Sequence, residues 1–450
     1  MKMEETVNMR IKAIAMGLLL FGCGFIYAQE KVWTLQECVD YALENNISVL
    51  QGQNNLLTNE QDIIANKGAM LPSLDFSGRQ GLTLGNQELF PGQFVDRTAH
   101  STSLGLNLNQ TIFNGFRLTN LYKQSQLTLE RNELELNRIK DDISLNVVNA
   151  YLNVLFNKEN LETAQAQYEF SQKQLQQVQE LVDAGSQPQA NVYDAEATLS
   201  SDEQNLTVAE NNYNLAILSL SQLLQLPYEG FEVEIIEVDS PSAAIMYKDI
   251  KPILEYAYGN RYEIKVAEKN IEGAELSTEI SKSGFMPSLG FSYGFGSNVF
   301  YSNVIQGEES FFNQLNDNKS QNFSLNLRVP IFSQFQNKTA VAKSIVQEEN
   351  AKLNLEQAKL DLESNIQRAF TDAQAALKAY EAAKKSVEAQ KLAFQNSQER
   401  YNLGSMNSFD LEQSRIQLIN AQSRLINAKY DFIFKTKVLD FYLGKPIVVD

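Results

Sequence analysis

The stretch Ser103–Gly115, SLGLNLNQTIFNG, places leucine at 104, 106 and 108 and glycine or asparagine at 105, 107 and 109. A period of two with one apolar side predicts a half-buried β-strand. Asn322–Gln334, NFSLNLRVPIFSQ, is a variant of it: Phe323, Leu325, Leu327 and Val329 share one side, opposite Ser324, Asn326 and Arg328. Two more segments alternate. Leu289, Phe291, Tyr293 and Phe295 oppose Gly290, Ser292 and Gly294, and Leu74, Phe76, Leu82 and Leu84 form a looser fourth. The first two segments each head a run of roughly 65 residues in which the apolar period becomes helical. There Leu145, Val148, Leu152 and Leu155 recur at 3,4,3 spacing, and Ile366, Phe370, Ala373, Leu377 and Tyr380 at 4,3,4,3. Such steps predict coiled-coil seams, and alanines at 369, 373, 376, 379, 383 and 389 permit close helix approach.

The pattern is written twice because the chain is a duplication. Pro72 of LPSLDFSG matches Pro287 of MPSLGFSY, and Ala42 and Asn45 match Ala257 and Asn260, all at an offset of 215. From Ile112-Phe113 and Ile331-Phe332 onward the offset is 219, through Gly185/Gly404, Leu206/Leu425, Leu224/Leu443 and Pro227/Pro446. The change in length falls between Leu74 and Ile112, which places an exposed loop there. Each repeat reads helix, strand, loop, strand, very long helix, tight turn, helix. The boundaries expected are about 35–69, 73–84, 102–113, 116–182, 183–189 and 190–225, then about 250–284, 288–298, 321–332, 335–401, 402–407 and 408–443. The chain therefore divides into residues 1–28, a first repeat 29–227, a link 228–247, a second repeat 248–446 and a tail 447–450. Phe231–Val238 in the link alternates like a short edge strand.

Length sets the architecture. A helix of about 67 residues runs roughly 100 Å, too long for a globular core in a chain of 450 residues. The two shorter helices of a repeat, end to end, cover nearly that distance, so each repeat builds a two-layered rod. The strands have the length of tilted membrane strands, about 10–12 residues. An open edge cannot sit in lipid, and membrane barrels have at least about eight strands. Four strands per chain thus require several chains: two give eight strands, three give twelve. Leu106 and Leu325 are expected to face lipid, and Asn107 and Asn326 the lumen. The alternative is a soluble sheet with one face on a core.

Composition then narrows the function. There are 38 basic and 55 acidic residues, a net charge of −17, which excludes nucleic acid as a partner. Arg10 and Lys12, an apolar run from Ile11 to Ile26 and Ala28 before Gln29 predict a cleaved export signal, with translation starting at Met9. N-terminal sequencing of the mature protein should begin near Gln29. Cys23 in LFGC offers lipidation as the second reading. After cleavage Cys38 is the only cysteine, so no intrachain disulfide forms. No enzyme is expected. His100 is the only histidine and falls in the loop between strands, no Cys/His cluster has metal-ligand spacing, and Gly290, Gly294 and Gly296 lie in a strand and not at a phosphate-binding turn. No catalytic residue, metal or cofactor is assigned.

The sequence resembles the TolC-like outer-membrane efflux protein family. The residues that carry the likeness are WTLQECVDYALENNISVLQGQ (Trp33–Gln53), both PSL strand starts, both IF junctions, and the turns DAGSQPQANVYDAE (Asp183–Glu196) and NLGSMNSFDLEQ (Asn402–Gln413). The resemblance implies a mainly α protein with a membrane β part. It would form a homotrimer, with a 12-stranded β-barrel in the outer membrane of a Gram-negative bacterium and an α-helical barrel in the periplasm. Its implied partners are outer-membrane lipid, a periplasmic adaptor protein and an inner-membrane transporter. Gly185, Ser186, Gly404 and Ser405 match the family's adaptor-docking tips, with Ala184 and Leu403 where valine is frequent. Asp410 matches the first of two acidic residues that narrow the periplasmic entrance, Gln413 replaces the second, and Glu412 and Asp194 are further candidates. The function implied is passive export through a conduit powered elsewhere. The alternative is a structural envelope coiled coil with a membrane-embedded β part and no conduit.

Overall fold

The computed structural model describes residues 31–235, 249–305, 307 and 309–445. The export signal with Met9 and Cys23, residues 236–238 of the expected link strand and the 447–450 tail lie outside the described residues. In chain order the elements are β1 (Val32–Trp33), α1 (Leu35–Asn45), α2 (Ile47–Gly68), β2 (Ser73–Phe90), β3 (Gln93–Asn114), α3 (Arg117–Asp183) and α4 (Ala190–Leu224). There follow β4 (Glu232–Val233), α5 (Lys251–Asn260), α6 (Tyr262–Lys282), β5 (Ser288–Ser302), α7 (Phe311–Asp317), β6 (Ser320–Arg328), α8 (Gln336–Asn402) and α9 (Ser408–Tyr442). The long helices α3 and α8 each contain 67 residues. The chain divides into two compact units, one of Met1–Asn46, Asp141–Asp249 and Arg368–Asp450, the other of Ile47–Lys140 and Ile250–Gln367. Each unit draws on both repeats.

The first unit is built on the predicted seams. Val148, Leu152 and Leu155 are buried, but so are Val147, Tyr151 and Val154, so α3 buries a wider stripe than a coiled-coil seam. They pack with Leu35, Cys38 and Ala42 of α1, Leu220 and Leu224 of α4, and Tyr430 and Ile433 of α9. Burial pushes the Cys38 thiol up to about 12, which keeps it a neutral core group. β1 and β4 pair in parallel, Val32 with Glu232 and Trp33 with Val233, and the Tyr151 hydroxyl donates to the Glu234 carbonyl at 2.6 Å. On α8, Ile366, Ala373 and Tyr380 of the 4,3,4,3 series are buried and Phe370 and Leu377 half-buried; of the alanines, Ala376 is also buried, whereas Ala379 and Ala389 are exposed.

The second unit carries the sheet, antiparallel throughout in the order β2-β3-β5-β6. Five sequence expectations change. The helix expected at 35–69 breaks at Asn46, and the one expected at 250–284 breaks at Arg261, 215 positions on, both with extended backbone near φ −62° to −66°. The loop expected at 85–101 is instead more strand. β2 and β3 continue to a two-residue turn at Pro91-Gly92, where Gly92 takes φ 83° as a Pro-Gly turn requires. His100 accordingly lies in β3, opposite Leu82 and Tyr301, and not in a loop. Finally, β6 stops at Arg328 and not near 332, because Pro330 has no N–H to extend the ladder.

Candidate functional site

Pairing in register sorts the sheet into two chemically distinct faces. On one, Leu74, Leu108, Tyr293 and Phe323 form a row across all four strands, and Phe76, Leu106 and Phe295 form the next. On the other, Asp75, Asn107, Gly294 and Asn322 form a row, as do Ser77, Gly105, Gly296 and Ser320. The apolar face is not covered by a core: Phe76, Leu325 and Leu327 are 67–69% exposed. From Leu104 to Ile112 the band extends about 26 Å along the strand, or roughly 20 Å of height at a 40° tilt, close to the apolar belt of a membrane barrel. Within this sheet β2 and β6 are paired on one side only.

The strand-to-helix junctions repeat to the residue. Gly115 and Phe116 take φ 65°, and Gln334 and Phe335, 219 positions on, take φ 51° and 62°. A Cβ on Gly115 would lie 2.6 Å from the Met286 Cβ, so glycine is required there for space as well as conformation. Edge-to-face ring pairs Phe113–Phe116 and Phe332–Phe335 flank the two junctions. Phe116, Phe332 and Phe335 are exposed, as aromatics at a membrane interface are.

The predicted tips are helix reversals with a shared hydrogen-bond pattern. Ser186 N–H donates to the Leu181 carbonyl and Gly185 N–H to that of Val182, both at 2.8 Å. Ser405 N–H donates to Arg400 at 2.8 Å and Gly404 N–H to Tyr401 at 2.9 Å. These are Schellman caps, and Gly185 and Gly404 supply the left-handed residue at φ 73° and 70°. Their hydrogens face open space, so conformation alone selects glycine. The Gln187 amide approaches the Tyr401 hydroxyl at 3.5 Å, which brings the two tips into contact.

Of the acidic candidates, Asp194 and Glu412 line one cavity of about 240 Å³ with Asn191, Tyr401 and Phe409; Asp410 does not. Asp410 and Asp194 are exposed. Asp410 is the third residue of α9, its N–H held by the side chain of the N-cap Asn407 at 2.8 Å, a position the helix dipole favours for a carboxylate. Glu412 is engaged otherwise: its two oxygens accept from Nε and Nη2 of Arg415 at 2.9 and 2.8 Å.

Arg415 belongs to a buried network that the spacing of residues in the chain did not disclose. Its Nη1 donates to Asp202 of α4 at 2.8 Å and to the Ser171 hydroxyl of α3 at 3.2 Å, and Ser171 in turn bonds Asp202. The Arg415 and Asp202 side chains are 7% and 4% exposed. Burial disfavours the Arg415 charge, but the bonds from Glu412 and Asp202 outweigh it and hold the guanidinium above its ordinary value. Further along α9, Lys429 bonds Glu159 of α3 at 3.1 Å. The second repeat's shorter helix is thus tied twice to the first repeat. The only hint in the sequence was an arginine on a helix face otherwise occupied by Leu411, Leu418 and Ala421.

Among the described residues no group of three or more His, Cys, Asp or Glu is arranged to hold a metal ion, and no helix is long and apolar enough to cross a membrane. A family model described as Outer membrane efflux protein matches residues 38–225 and 253–445. Outer membrane protein TolC of Vibrio cholerae is 21% identical over 419 residues, 92% of this chain and 91% of the relative. The alkaline protease secretion protein AprF of Pseudomonas aeruginosa is 20% identical over 439 residues, 94% of this chain and 88% of the relative. Of solved structures, the CusC channel superposes with a TM-score of 0.78 at 17% identity, covering 92% of both chains. VceC of Vibrio cholerae superposes with a TM-score of 0.75 at 17% identity, covering 92% of this chain and 97% of the other.

Proposed function

The chain belongs to the outer membrane efflux protein family, the outer-membrane channels of export systems, and from that premise we propose that three copies pool their sheets into one 12-stranded barrel and act with a periplasmic adaptor and an inner-membrane transporter. The observation that carries this reading is the open sheet of β2, β3, β5 and β6, with one apolar and one polar face and an unpaired side on each outer strand. An open sheet edge is not tolerated in lipid, so β6 of one copy pairs with β2 of the next. Three copies close the ring, with the apolar face to lipid and the Asn/Ser/Gly face to the lumen. The conduit is passive. Mass measurement of the detergent-solubilised protein should give a trimer, and the trimer should conduct in a planar bilayer. A structural coiled-coil protein would not conduct.

Neighbouring residues of β6 test the faces. Leu325→Arg should destabilise the barrel by about 2–4 kcal/mol if Leu325 lies near the membrane midplane. Asn326→Arg, on the lumen face, should assemble normally and change conductance. Equal tolerance of the two substitutions in an assembly assay would refute the assignment of faces.

Asp410 is the residue we assign to the periplasmic entrance, where three copies around the axis lower the potential and favour cations. Glu412 is set apart from that role by its bonds to Arg415, and Asp194 contributes charge from the neighbouring tip. Asp410→Asn should reduce cation-over-anion selectivity, most clearly in dilute salt, because screening shortens the reach of the charge to about 10 Å at 0.1 M. Unchanged reversal potentials in dilute salt would remove Asp410 from the entrance.

A further inference from the structure

α7 packs beside the part of β5 that β6 does not reach. Phe300 N–H donates to the Gln314 side chain at 2.9 Å, the Ser297 hydroxyl to the Leu315 carbonyl at 2.6 Å and the Asn318 side chain to the Asn298 carbonyl at 2.7 Å. The free edge of β5 is thereby covered. The helix also overhangs the apolar face, burying Val299 while leaving Phe312 77% exposed. Between helix and sheet lies a groove of about 370 Å³, walled by Phe76, Leu104, Leu106 and Phe295 below and by Phe312 and Leu315 above. Asn316 and Lys319 stand at its margin.

We infer that this groove binds an acyl chain of an anionic, phosphate-bearing lipid in the outer leaflet, with the phosphate on Lys319. The inference rests on the reading that the apolar face of the sheet meets lipid. β3 and β6 lead into α3 and α8 at one end of the sheet, and the β5–β6 connection with α7 lies at the other. With the helices in the periplasm, α7 sits at the outward edge of the apolar band, where headgroups begin. Its exposed Phe311 and Phe312 suit that depth. The groove volume is near the small end of ligand pockets, about 300–1,000 Å³, which admits part of a chain and no globular partner. Lys319 donates to Asn316 at 2.7 Å and keeps two further donors for a phosphate, while the adjacent Asp317 accepts from Asn316 at 3.0 Å. An apolar groove ending at a cation matches an acyl chain ending at a phosphate.

The test uses full-length trimer in vesicles with brominated acyl chains, which quench tryptophan on contact. Trp33 is the only natural tryptophan, so its signal is subtracted with the parent protein. Phe312→Trp reports on the groove, and Leu325→Trp reports on the open lipid-facing surface. Brominated phosphatidic acid should bind at Phe312→Trp about fivefold better than brominated phosphatidylcholine. That preference should vanish in Phe312→Trp/Lys319→Gln, while Leu325→Trp is quenched equally by both lipids. Equal quenching by both lipids at Phe312→Trp, or a preference that survives Lys319→Gln, overturns the site. Quenching at Leu325→Trp with none at Phe312→Trp means that the groove is closed to acyl chains, and it also overturns the site. Absence of quenching at both positions overturns the lipid-facing reading itself.

Discussion

Replacing Arg415 with methionine should loosen the packing of α9 on α3 and α4 by about 3–5 kcal/mol, the usual consequence of stripping one partner from a buried ion pair. The variant leaves the Asp202 carboxylate, 4% exposed at its side chain, with the Ser171 hydroxyl and no cation. Hydrogen exchange should show the effect locally. Amides around Asp202 and Arg415 should exchange roughly a hundredfold or more faster, while those around Tyr151 stay protected. Removing both charges, as in Arg415→Met/Asp202→Leu, should restore most of the protection, because apolar replacement of a buried pair is often neutral. Arg415 joins α9 of the second repeat to α3 and α4 of the first near the tips, so the single variant should also raise bilayer conductance by letting the helix pairs part. If exchange near Asp202 is unchanged in the single variant, or no slower in the double, the network does not tie the repeats together.

The duplication made most of this architecture legible. A constant offset of 219 predicts that whatever α3 does, α8 does, and the two helices are equal in length at 67 residues, beginning and ending 219 positions apart. The tips were legible for a similar reason, since a glycine that follows a long helical pattern is a C-cap signal with a known backbone requirement. Other features left no such trace. The break at Asn46 has neither glycine nor proline beside it, and Gly259, two residues before Arg261, stays within α5, so the apolar period runs through both breaks. The sequence of the outer half of the β2–β3 hairpin predicts a loop because its alternation dissolves above Leu104 into Thr102, His100 and Thr98. No burial is required of residues that stand above the apolar band, so no pattern records them. Pro91-Gly92 marked the turn, but only as the middle of an apparently irregular stretch. The Arg415–Asp202 bond joins residues 213 positions apart, and a long-range pair of opposite charges is indistinguishable in one sequence from two solvated side chains.

Adding bulk at the tips should abolish export without harming the channel, and this is the largest functional effect expected from residues outside the lumen. Ser186 and Ser405 are exposed and follow the cap glycines directly. Their amides are consumed by the Schellman bonds to Leu181 and Arg400, and the Ser405 hydroxyl also donates to Arg400 at 3.0 Å. A partner can therefore approach small side chains and a fixed backbone closely, as long as nothing larger stands there. Ser186→Trp and Ser405→Trp leave the glycine conformations and the caps intact, which Gly185→Ala and Gly404→Ala would not. A left-handed alanine costs about 1–2 kcal/mol, and a lost docking contact would then be confounded with a frayed helix end. Two tips per chain become six in a trimer, and Gln187 and Tyr401 already bring the two tips of one chain together, so a ring of adaptor hairpins would meet both kinds. The double variant should form outer-membrane trimers with wild-type conductance, yet fail to export when adaptor and transporter are present, with adaptor capture weakened in proportion. Export at the wild-type rate by the double variant, or capture of the adaptor with unchanged affinity, would place the docking surface elsewhere on the helices.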